Sequence, residues 1–472
     1  MKTILGILSG ILIGAVFIAP NVAAAPAIVQ RKNGFGSSSL TITSTSAGHT
    51  LIAVTDSTSS PASVQTTGGS GTTFTKIGSC YHTVTPEFFC AWVVKSSNAS
   101  NTAITCTTCG TMNAFWVWEI SGTDTTNTID KMVMCQYGSA GGALCLVPLA
   151  GGSGVISFHN GFDAEAIIMV GECSSNASSI TATGITKTNN GFPNGNWAAD
   201  GILSSITTVT ATPDAGCSQT TASMILGIKG SGANQTCSGT ADIGFFDYGT
   251  EVASGNPTAT ANITQLGDLV VVYTWCLTDC TVTSVTVGSQ TATATSVIGN
   301  TGSTAGQPRL YYVLSTTAVG AQTVTMTTSG GGFTEAQVAY AEFIPSAGCP
   351  VTHDVDSALA SGATGATITT PSITPSAAGE ILFGFTTVFS HATSVGSPWT
   401  CYQFDGAGEN VSCFTNNTVN AWAFVLNSSS GATANNVTQL SSNPWQALLT
   451  SFRTSSGAVT NCTMSLLGAG PC

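Results

Sequence analysis

A strand-like apolar segment introduced by a polar residue occurs four times in the chain, at intervals of 116, 103 and 112 residues. The polar residues are His49, Glu165, Asp268 and Glu380. Each repeat closes on a second apolar segment, and these segments lie at 115–120, 224–228, 338–343 and 448–452. Self-similarity at a nearly fixed period is typical of a chain that repeats one structural unit. The repeat therefore restricts the fold to one that can be built four times in succession.

Between these landmarks, short runs of Val, Ile, Thr and aromatic residues alternate with Gly, Asn, Ser and Pro, as in Thr281–Val287 before Gly288. This rhythm predicts antiparallel strands joined by turns, and no long stretch shows the 3.6-residue stripe of a helix. We predict an all-β chain of four tandem antiparallel β-sandwich modules, immunoglobulin-like or jelly-roll, because both topologies suit modules of this size. The predicted modules span 28–125, 126–231, 232–345 and 346–455, and a C-terminal tail spans 456–472.

Residues 1–25 are predicted to be a signal peptide. Lys2 precedes an apolar run from Ile4 to Ala19, and small residues follow at Ala23–Ala25. The run is shorter than the roughly 20 residues that a membrane-spanning helix needs. We therefore expect a mature chain that is secreted, extracellular or at the cell surface, with no membrane span.

Charge is scarce. Charged residues make up 7% of the chain, and 10 Lys plus Arg against 22 Asp plus Glu give a net charge of −12. A typical soluble protein has about 25% charged residues. Such a surface lacks the cations that bind phosphate, which argues against nucleic acid as a partner. Strand edges without Lys favour strand-to-strand association, so self-association or binding to glycans and cell-surface polymers is expected.

The chain has 16 cysteines, all beyond the predicted leader. An exported chain with an even number of cysteines is expected to form disulfides. Close spacing favours the pairs Cys80 with Cys90, Cys106 with Cys109, Cys135 with Cys145, Cys276 with Cys280, Cys401 with Cys413, and Cys462 with Cys472. The two-residue gap between Cys106 and Cys109 also occurs in redox and zinc motifs, but no helical pattern or second such pair accompanies it.

The third and fourth repeats share further features. An acidic residue leads the apolar segments Leu269–Val271 and Ile381–Phe383, and Leu310–Val313 and Ala341–Phe343 follow in the third repeat. This pattern resembles the tandem secreted β-sandwich modules, immunoglobulin-like or jelly-roll, of environmental bacteria, most closely over 240–455. The resemblance implies a fold. Its motifs are structural, so it implies no site residues, and those modules have no settled function.

Trp116 and Trp118 are the candidate ligand-binding residues. On a strand they share one face, while Phe115 and Val117 share the other. Exposed indole rings stack on sugar rings, which makes this face a candidate carbohydrate site. The alternative is that both rings fill a core.

The densest polar cluster is His353-Asp354-Val355-Asp356. On a regular strand Asp354 and Asp356 share a face and offer two hard oxygen ligands to Ca²⁺, the one cofactor that the residues suggest. The alternative is a solvated strand edge. Asp163 and Glu165, near His159, form a similar cluster with an acid/base or metal role as its functional interpretation.

An active site needs its catalytic acid once, whereas these polar residues occur at four equivalent positions, one of them as His. We therefore interpret His49, Glu165, Asp268 and Glu380 as polar residues that open a strand. The residues favour a non-catalytic exported structural or adhesive protein of a cell surface, extracellular matrix or filament, able to self-assemble. A carbohydrate-binding module array is the first alternative. A secreted polysaccharide hydrolase is the second, because 22 scattered acids are compatible with a catalytic carboxylate pair.

Overall fold

The structure is a computed structural model of the 472-residue chain. It describes residues 25–68, 71–82, 88–136, 156–173, 180–189, 195–213, 220–237, 241–248, 255–277, 281–298, 308–329, 335–362, 364–388, 392–397, 399–403, 420–425, 428–439 and 441–454. The predicted signal peptide and the C-terminal tail lie outside the described residues, apart from Ala25.

The described chain consists of strands, which fall into four consecutive groups. Group 1 comprises β1 (Ala27–Gly34), β2 (Ser39–Thr41), β3 (Thr50–Ser57), β4 (Ser63–Thr67), β5 (Thr75–His82), β6 (Phe88–Val94), β7 (Ala103–Thr107) and β8 (Met112–Ser121). Group 2 comprises β9 (Ile129–Gln136), β10 (Ile156–His159), β11 (Glu165–Cys173), β12 (Ile180–Thr183), β13 (Lys187–Asn189), β14 (Trp197–Leu203), β15 (Thr208–Pro213) and β16 (Thr220–Lys229).

Groups 3 and 4 each contain one additional short strand. Group 3 comprises β17 (Asp242–Tyr248), β18 (Thr258–Ile263), β19 (Leu269–Leu277), β20 (Thr281–Val287), β21 (Gln290–Thr291), β22 (Thr293–Ile298), β23 (Arg309–Val313), β24 (Gly320–Ser329) and β25 (Glu335–Ile344). Group 4 comprises β26 (Val351–Asp356), β27 (Ala360–Gly362), β28 (Thr367–Thr369), β29 (Ile381–Val388), β30 (Ala392–Val395), β31 (Thr400–Gln403), β32 (Asn420–Val425), β33 (Asn436–Gln439) and β34 (Trp445–Thr454).

Each group forms one larger and one smaller sheet. The larger sheets have the orders β1-β8-β3-β6-β5, β9-β16-β11-β14-β13, β17-β25-β19-β23-β22 and β26-β34-β29-β32-β31, with β27 also on β34. The smaller sheets are β2-β7-β4, β10-β15-β12, β18-β24-β20-β21 and β28-β33-β30. Without the short β21 and β27, every group has the same order when its strands are counted from its first: 1-8-3-6-5 in the larger sheet and 2-7-4 in the smaller. The central pairs, such as β3 with β8 and β19 with β25, are antiparallel, so the predicted all-β antiparallel class is confirmed.

The larger sheets bury both of their faces. In β3, Leu51 and Ala53 belong to a core shared with the smaller sheet of group 1. The alternating residues Ile52 and Val54 belong to a different core, which includes Ile168 of group 2. Successive strand residues point to opposite faces, so this division means that the larger sheets of groups 1 and 2 pack on one another. Strands with two buried faces read as continuous apolar runs.

Groups 3 and 4 are joined in the same manner. Their larger sheets share a core in which the Tyr273 ring lies 3.5 Å, centroid to centroid, from the Phe385 ring. Phe343 contacts Phe383 and Phe424 edge to face, with ring centroids 6.2 Å apart in both pairs. Aromatic pairs of this kind add to the free energy that burial alone provides.

Disulfides connect neighbouring and distant segments. Cys80 is bonded to Cys90 across β5 and β6, and Cys106 to Cys109 in the loop after β7. A third bond joins Cys237, before β17, to Cys349, after β25, across 112 residues of sequence. Cys173 and Cys276 are also disulfide-bonded. The pairs predicted for Cys135 with Cys145, Cys276 with Cys280, Cys401 with Cys413 and Cys462 with Cys472 each include a residue that lies outside the described residues.

Candidate functional site

Although charge is scarce, the structure buries many ionisable side chains. Glu119, Asp130, Lys131, Glu165 and Asp242 are each at most 1% exposed. Burying a charged group is costly unless it is paired or hydrogen-bonded, so each of these side chains calls for a partner. Their partners lie either in the loops of the same strand group or across a junction with the next group.

A loop clamp recurs in every group. Glu165, Asp268 and Glu380 each accept a hydrogen bond from the backbone N–H three residues earlier, at 2.9, 3.0 and 2.9 Å. In group 1 the corresponding residue is His49. There, Glu119 of β8 accepts the bond from Ser46 N at 3.0 Å and contacts His49 Nδ1 at 2.7 Å. The clamp fixes the loop that leads into the central strand of the larger sheet.

The glycine before the clamp residue has a left-handed backbone in three groups. Gly48, Gly267 and Gly379 have φ of +80°, +91° and +87°, a region in which other residues are strained. Each donates its N–H to a carbonyl of the loop beyond the neighbouring strand, namely Ser97 O, Thr316 O and Ser428 O. The repeated polar residues therefore have a structural role at the start of a strand.

The clamps differ in what lies opposite them. In group 3, Thr264 Oγ1 donates to Glu342 at 3.0 Å or to Asp268 at 3.3 Å. Burial, and then the neighbouring Glu342 carboxylate, raise the pKa of Asp268 well above its usual value. In group 2 the opposite residue is Gly227, where an added Cβ would lie 2.6 Å from Glu165 Oε2. Glycine at this position makes room for the Glu165 carboxyl group.

The first junction, between groups 1 and 2, is centred on Asp200. Arg31 of β1 donates from Nε to Oδ2 and from Nη2 to Oδ1, both at 2.5 Å. Trp118 Nε1 donates to Oδ2 at 2.9 Å. Three donors thus satisfy a carboxylate that is fully buried between two sheets.

Both candidate tryptophans lie at this junction. Trp116 and Trp118 share a strand face, as predicted, but both are 0% exposed. They belong to the core between groups 1 and 2, where Trp116 also meets Phe89 edge to face. Stacking on a sugar requires an exposed ring face, so the carbohydrate interpretation of these two rings must be corrected. The reason is that a second sheet covers the face that a lone sandwich would expose.

The second junction, between groups 2 and 3, contains a cluster of ionisable side chains formed by Asp130, Lys131, His159, Glu165 and Asp242. Lys131 Nζ of β9 lies 3.0 Å from Asp242 Oδ2 at the start of β17. His159 donates its backbone N–H to Asp242 Oδ2 at 2.9 Å, and its Nδ1 contacts Oδ1. Asp130 accepts bonds from Gly161 N at 2.9 Å and from Ala347 N at 3.2 Å.

Protonation differs within this cluster. Burial, and then the Asp130 carboxylate, raise the pKa of Glu165 well above its usual value. Burial opposes ionisation of Asp242 as well, but the charges of Lys131 and His159 hold its pKa below the usual value. The pKa values of these two buried acids are therefore shifted in opposite directions. Of the predicted His159, Asp163 and Glu165 cluster, Asp163 lies apart and accepts two bonds from Asn234, both at 2.7 Å.

The third junction, between groups 3 and 4, uses Asp356. Its Oδ2 accepts bonds from Ser296 N at 2.7 Å and Ser296 Oγ at 2.6 Å, and its Oδ1 contacts His353 Nε2 at 2.8 Å. The His353 ring stacks on Tyr312, with centroids 5.0 Å apart. The carboxylate lies between serine and histidine, whereas in a hydrolytic triad histidine takes the middle position. This arrangement ties two strand groups together.

The calcium hypothesis for Asp354 and Asp356 required both carboxylates on one face of a strand. The pairing of β26 with β34 shifts between His353 and Asp356, which breaks the alternation. Asp354 accepts instead from Ser376 N at 2.9 Å. The shared-face prediction is therefore wrong, because a β-bulge turns the two side chains to different partners. Within the described part of the chain, no three His, Cys, Asp or Glu side chains are grouped to hold a metal ion.

No family model, curated protein or solved structure matches the chain. Among the described residues, no helix is long and apolar enough to cross a membrane.

Proposed function

We propose that this chain is a non-catalytic exported structural or adhesive protein, a self-assembling component of a cell surface, extracellular matrix or filament. The observation that carries the proposal is the use of the buried charges, which clamp loops and join neighbouring strand groups. A protein whose ionisable groups hold its repeats in place is suited to a mechanical role. The disulfides are compatible with an oxidising, extracellular location.

The proposal includes a modular architecture. We infer that the four strand groups are four tandem copies of one jelly-roll sandwich. The shared order of 1-8-3-6-5 and 2-7-4 supports this, because a jelly roll pairs its first strand with its last and its second with its seventh. The immunoglobulin-like alternative predicts different neighbours for the central strands.

The outer faces of the smaller sheets favour assembly. In group 3, Thr325 lies between Thr258 and Thr286 on adjacent strands, and the neighbouring Thr323 pairs with Thr260. Such rows of uncharged hydroxyl groups are less costly to desolvate than charged side chains. A sheet face of this kind suits lateral packing of copies of the chain.

The same hydroxyl rows also suit hydrogen bonding to a polysaccharide, which keeps carbohydrate binding as the second candidate. For this candidate the site moves from the buried Trp116 and Trp118 to the threonine face of group 3. The hydrolase alternative stays a sequence-based prediction.

Sedimentation and electron microscopy of the purified mature chain test the assembly proposal. We expect particles larger than one chain that grow with protein concentration. Thr325→Lys should reduce assembly by placing a charge in the central row, and the matched control Thr125→Lys, in an exposed loop, should not. A monodisperse monomer at high concentration would contradict the proposal, and retention on a polysaccharide, lost in Thr325→Lys, would favour the second candidate.

A further inference from the structure

The second junction contains a wholly buried amine beside a wholly buried carboxyl group. The side chains of Lys131 and Asp242 are 0% and 2% exposed, and Lys131 Nζ lies 3.0 Å from Asp242 Oδ2. Despite this short distance, the amine makes no hydrogen bond of good geometry. The Phe158 ring, whose centroid lies 5.6 Å from Nζ, packs against the amine. An amine and a carboxyl group that are held together away from water are the reactants of amide formation.

The Asp242 carboxyl group is held and polarised by His159. The backbone N–H of His159 donates to Oδ2 at 2.9 Å, and the imidazole Nδ1 contacts Oδ1. Donors fixed at both oxygens stabilise the negative charge that develops when a nucleophile attacks the carbon between them. The geometry therefore favours attack at Cγ.

Two further buried acids, Asp130 and Glu165, belong to the same junction as Lys131 and Asp242. Burial raises the pKa of both Asp130 and Glu165, the Asp130 carboxylate raises that of Glu165 further, and the charge of Lys131 opposes both shifts. Glu165 also accepts a bond from Phe162 N at 2.9 Å, which fixes its position. Because burial raises the pKa of Asp130, its carboxylate is suited to accept a proton.

We propose that Lys131 Nζ and Asp242 Cγ condense to an isopeptide bond that joins group 2 covalently to group 3. A proton first passes from the lysine ammonium to Asp242 Oδ2, which lies 3.0 Å from it, and the reaction proceeds through this minor neutral pair, because the neighbouring charges favour the ionised form of Asp242. The nitrogen lone pair then forms the N–C bond, and the nitrogen releases a proton to Asp130. The C–Oδ2 bond breaks as Asp130 passes that proton to Oδ2, which leaves as water, while Oδ1, in contact with His159 Nδ1, becomes the amide oxygen.

The products are one amide and one water molecule. Asp130 ends in the form in which it began, so the step needs no oxidant, reductant or energy carrier. Holding the reactants in contact replaces the activation that amide formation in water requires. The bond lies near the Cys237–Cys349 disulfide, which joins the two ends of group 3, because Ala347, two residues before Cys349, donates to Asp130 at this junction. The proposal goes beyond the proposed function and does not depend on it.

Mass spectrometry of the reduced, alkylated and denatured full chain tests this inference directly. We expect an intact mass lower by one water molecule than the sequence of the same chain requires. After proteolysis, a branched peptide should join the segments that contain Lys131 and Asp242. Recovery of Lys131 only in a linear peptide, with no loss of water, would overturn the proposal, and this result needs no variant.

Two matched variants locate the bond. Lys131→Arg keeps the positive charge but supplies no condensing amine, so the loss of water should disappear. Lys229→Arg alters the comparable lysine that contacts Asp124 at 2.9 Å and lies 4.5 Å from the Phe162 ring centroid. This control should keep the branched peptide in full. Loss of water that persists in Lys131→Arg would assign it to another site and contradict the proposal.

Discussion

The first and second junctions each place one cation against one buried carboxylate, but the cations differ. At the first junction the planar guanidinium of Arg31 binds Asp200 through two nitrogens at 2.5 Å, and Trp118 supplies a third donor. At the second junction the compact amine of Lys131 contacts Asp242 at a single oxygen. Arginine saturates a carboxylate and does not condense with it, whereas lysine leaves the carboxyl carbon open to attack. The first junction is therefore held by hydrogen bonds, whereas the second brings together two groups that can react.

The largest effect is expected from breaking the first junction. Asp200→Ala leaves the Arg31 guanidinium and the Trp118 N–H without their buried acceptor. Removing one partner of a buried ion pair costs about 3–5 kcal/mol. Urea unfolding followed by tryptophan fluorescence measures the loss. The control Asp124→Ala, at a pair with Lys229 whose side chains are 20% and 11% exposed, should lower the free energy of unfolding by less than Asp200→Ala does.

A smaller loss in the free energy of unfolding is expected when the Cys237–Cys349 disulfide, near the second junction, is removed. Replacing Cys237 and Cys349 by serine opens a loop of 112 residues. A disulfide typically contributes about 2–4 kcal/mol. If the isopeptide bond forms, the loss should be larger in a Lys131→Arg background than in the wild type, because two neighbouring constraints are not additive. Equal losses in both backgrounds would show that the disulfide acts alone.

A smaller effect is expected in the pH dependence of stability, which should differ between the loop clamp of group 3 and the third junction. The pKa of Asp268 is raised by burial and by Glu342, so the stability that its protonated form contributes is complete at low pH and is lost as pH rises through the folded-state value. Asp268→Asn should therefore weaken the decline of the melting temperature at high pH. A variant whose decline in alkali equals that of the wild type would contradict this assignment.

Asp356 should behave in the opposite way. Burial opposes its ionisation, but hydrogen bonds from Ser296 and His353 hold its pKa below the usual value. Its contribution to stability is present above the unfolded-state pKa of about 3.9 and is lost as pH falls through the lower folded-state value. Asp356→Asn should therefore weaken the decline of the melting temperature in acid and leave the decline in alkali unchanged.

The smallest effect is expected at the third junction. His353→Gln removes the ring that stacks on Tyr312 but keeps a side chain able to donate to Asp356. We expect a loss of about 1 kcal/mol in the free energy of unfolding, the usual contribution of an aromatic contact. A loss as large as that of Asp200→Ala would mean that the junctions do not differ as described.

The sequence predicts features that depend on neighbouring residues. Strand rhythm gives the all-β class, and short spacing brings together Cys80 and Cys90. Pairing of Cys237 with Cys349 depends on the first and last strands of group 3 lying side by side, which spacing does not reveal.

The same limit applies to the junctions. The alternation at Trp116 and Trp118 is visible in the sequence, but the sheet that covers them comes from another group. The sequence does contain a signal at Lys131. A charged residue inside the apolar strand Ile129–Gln136 needs a buried partner. The identity of that partner, Asp242, follows only from the packing of group 3 against group 2.

Electron cryomicroscopy of the purified chain tests the central claim most directly, namely that one strand-built unit is repeated four times and joined through buried charges. We predict a density map in which all four groups have the same strand order and in which Asp200 and Asp242 are enclosed between neighbouring groups. Groups with different strand orders, or with these two carboxylates open to solvent in a cleft, would contradict it.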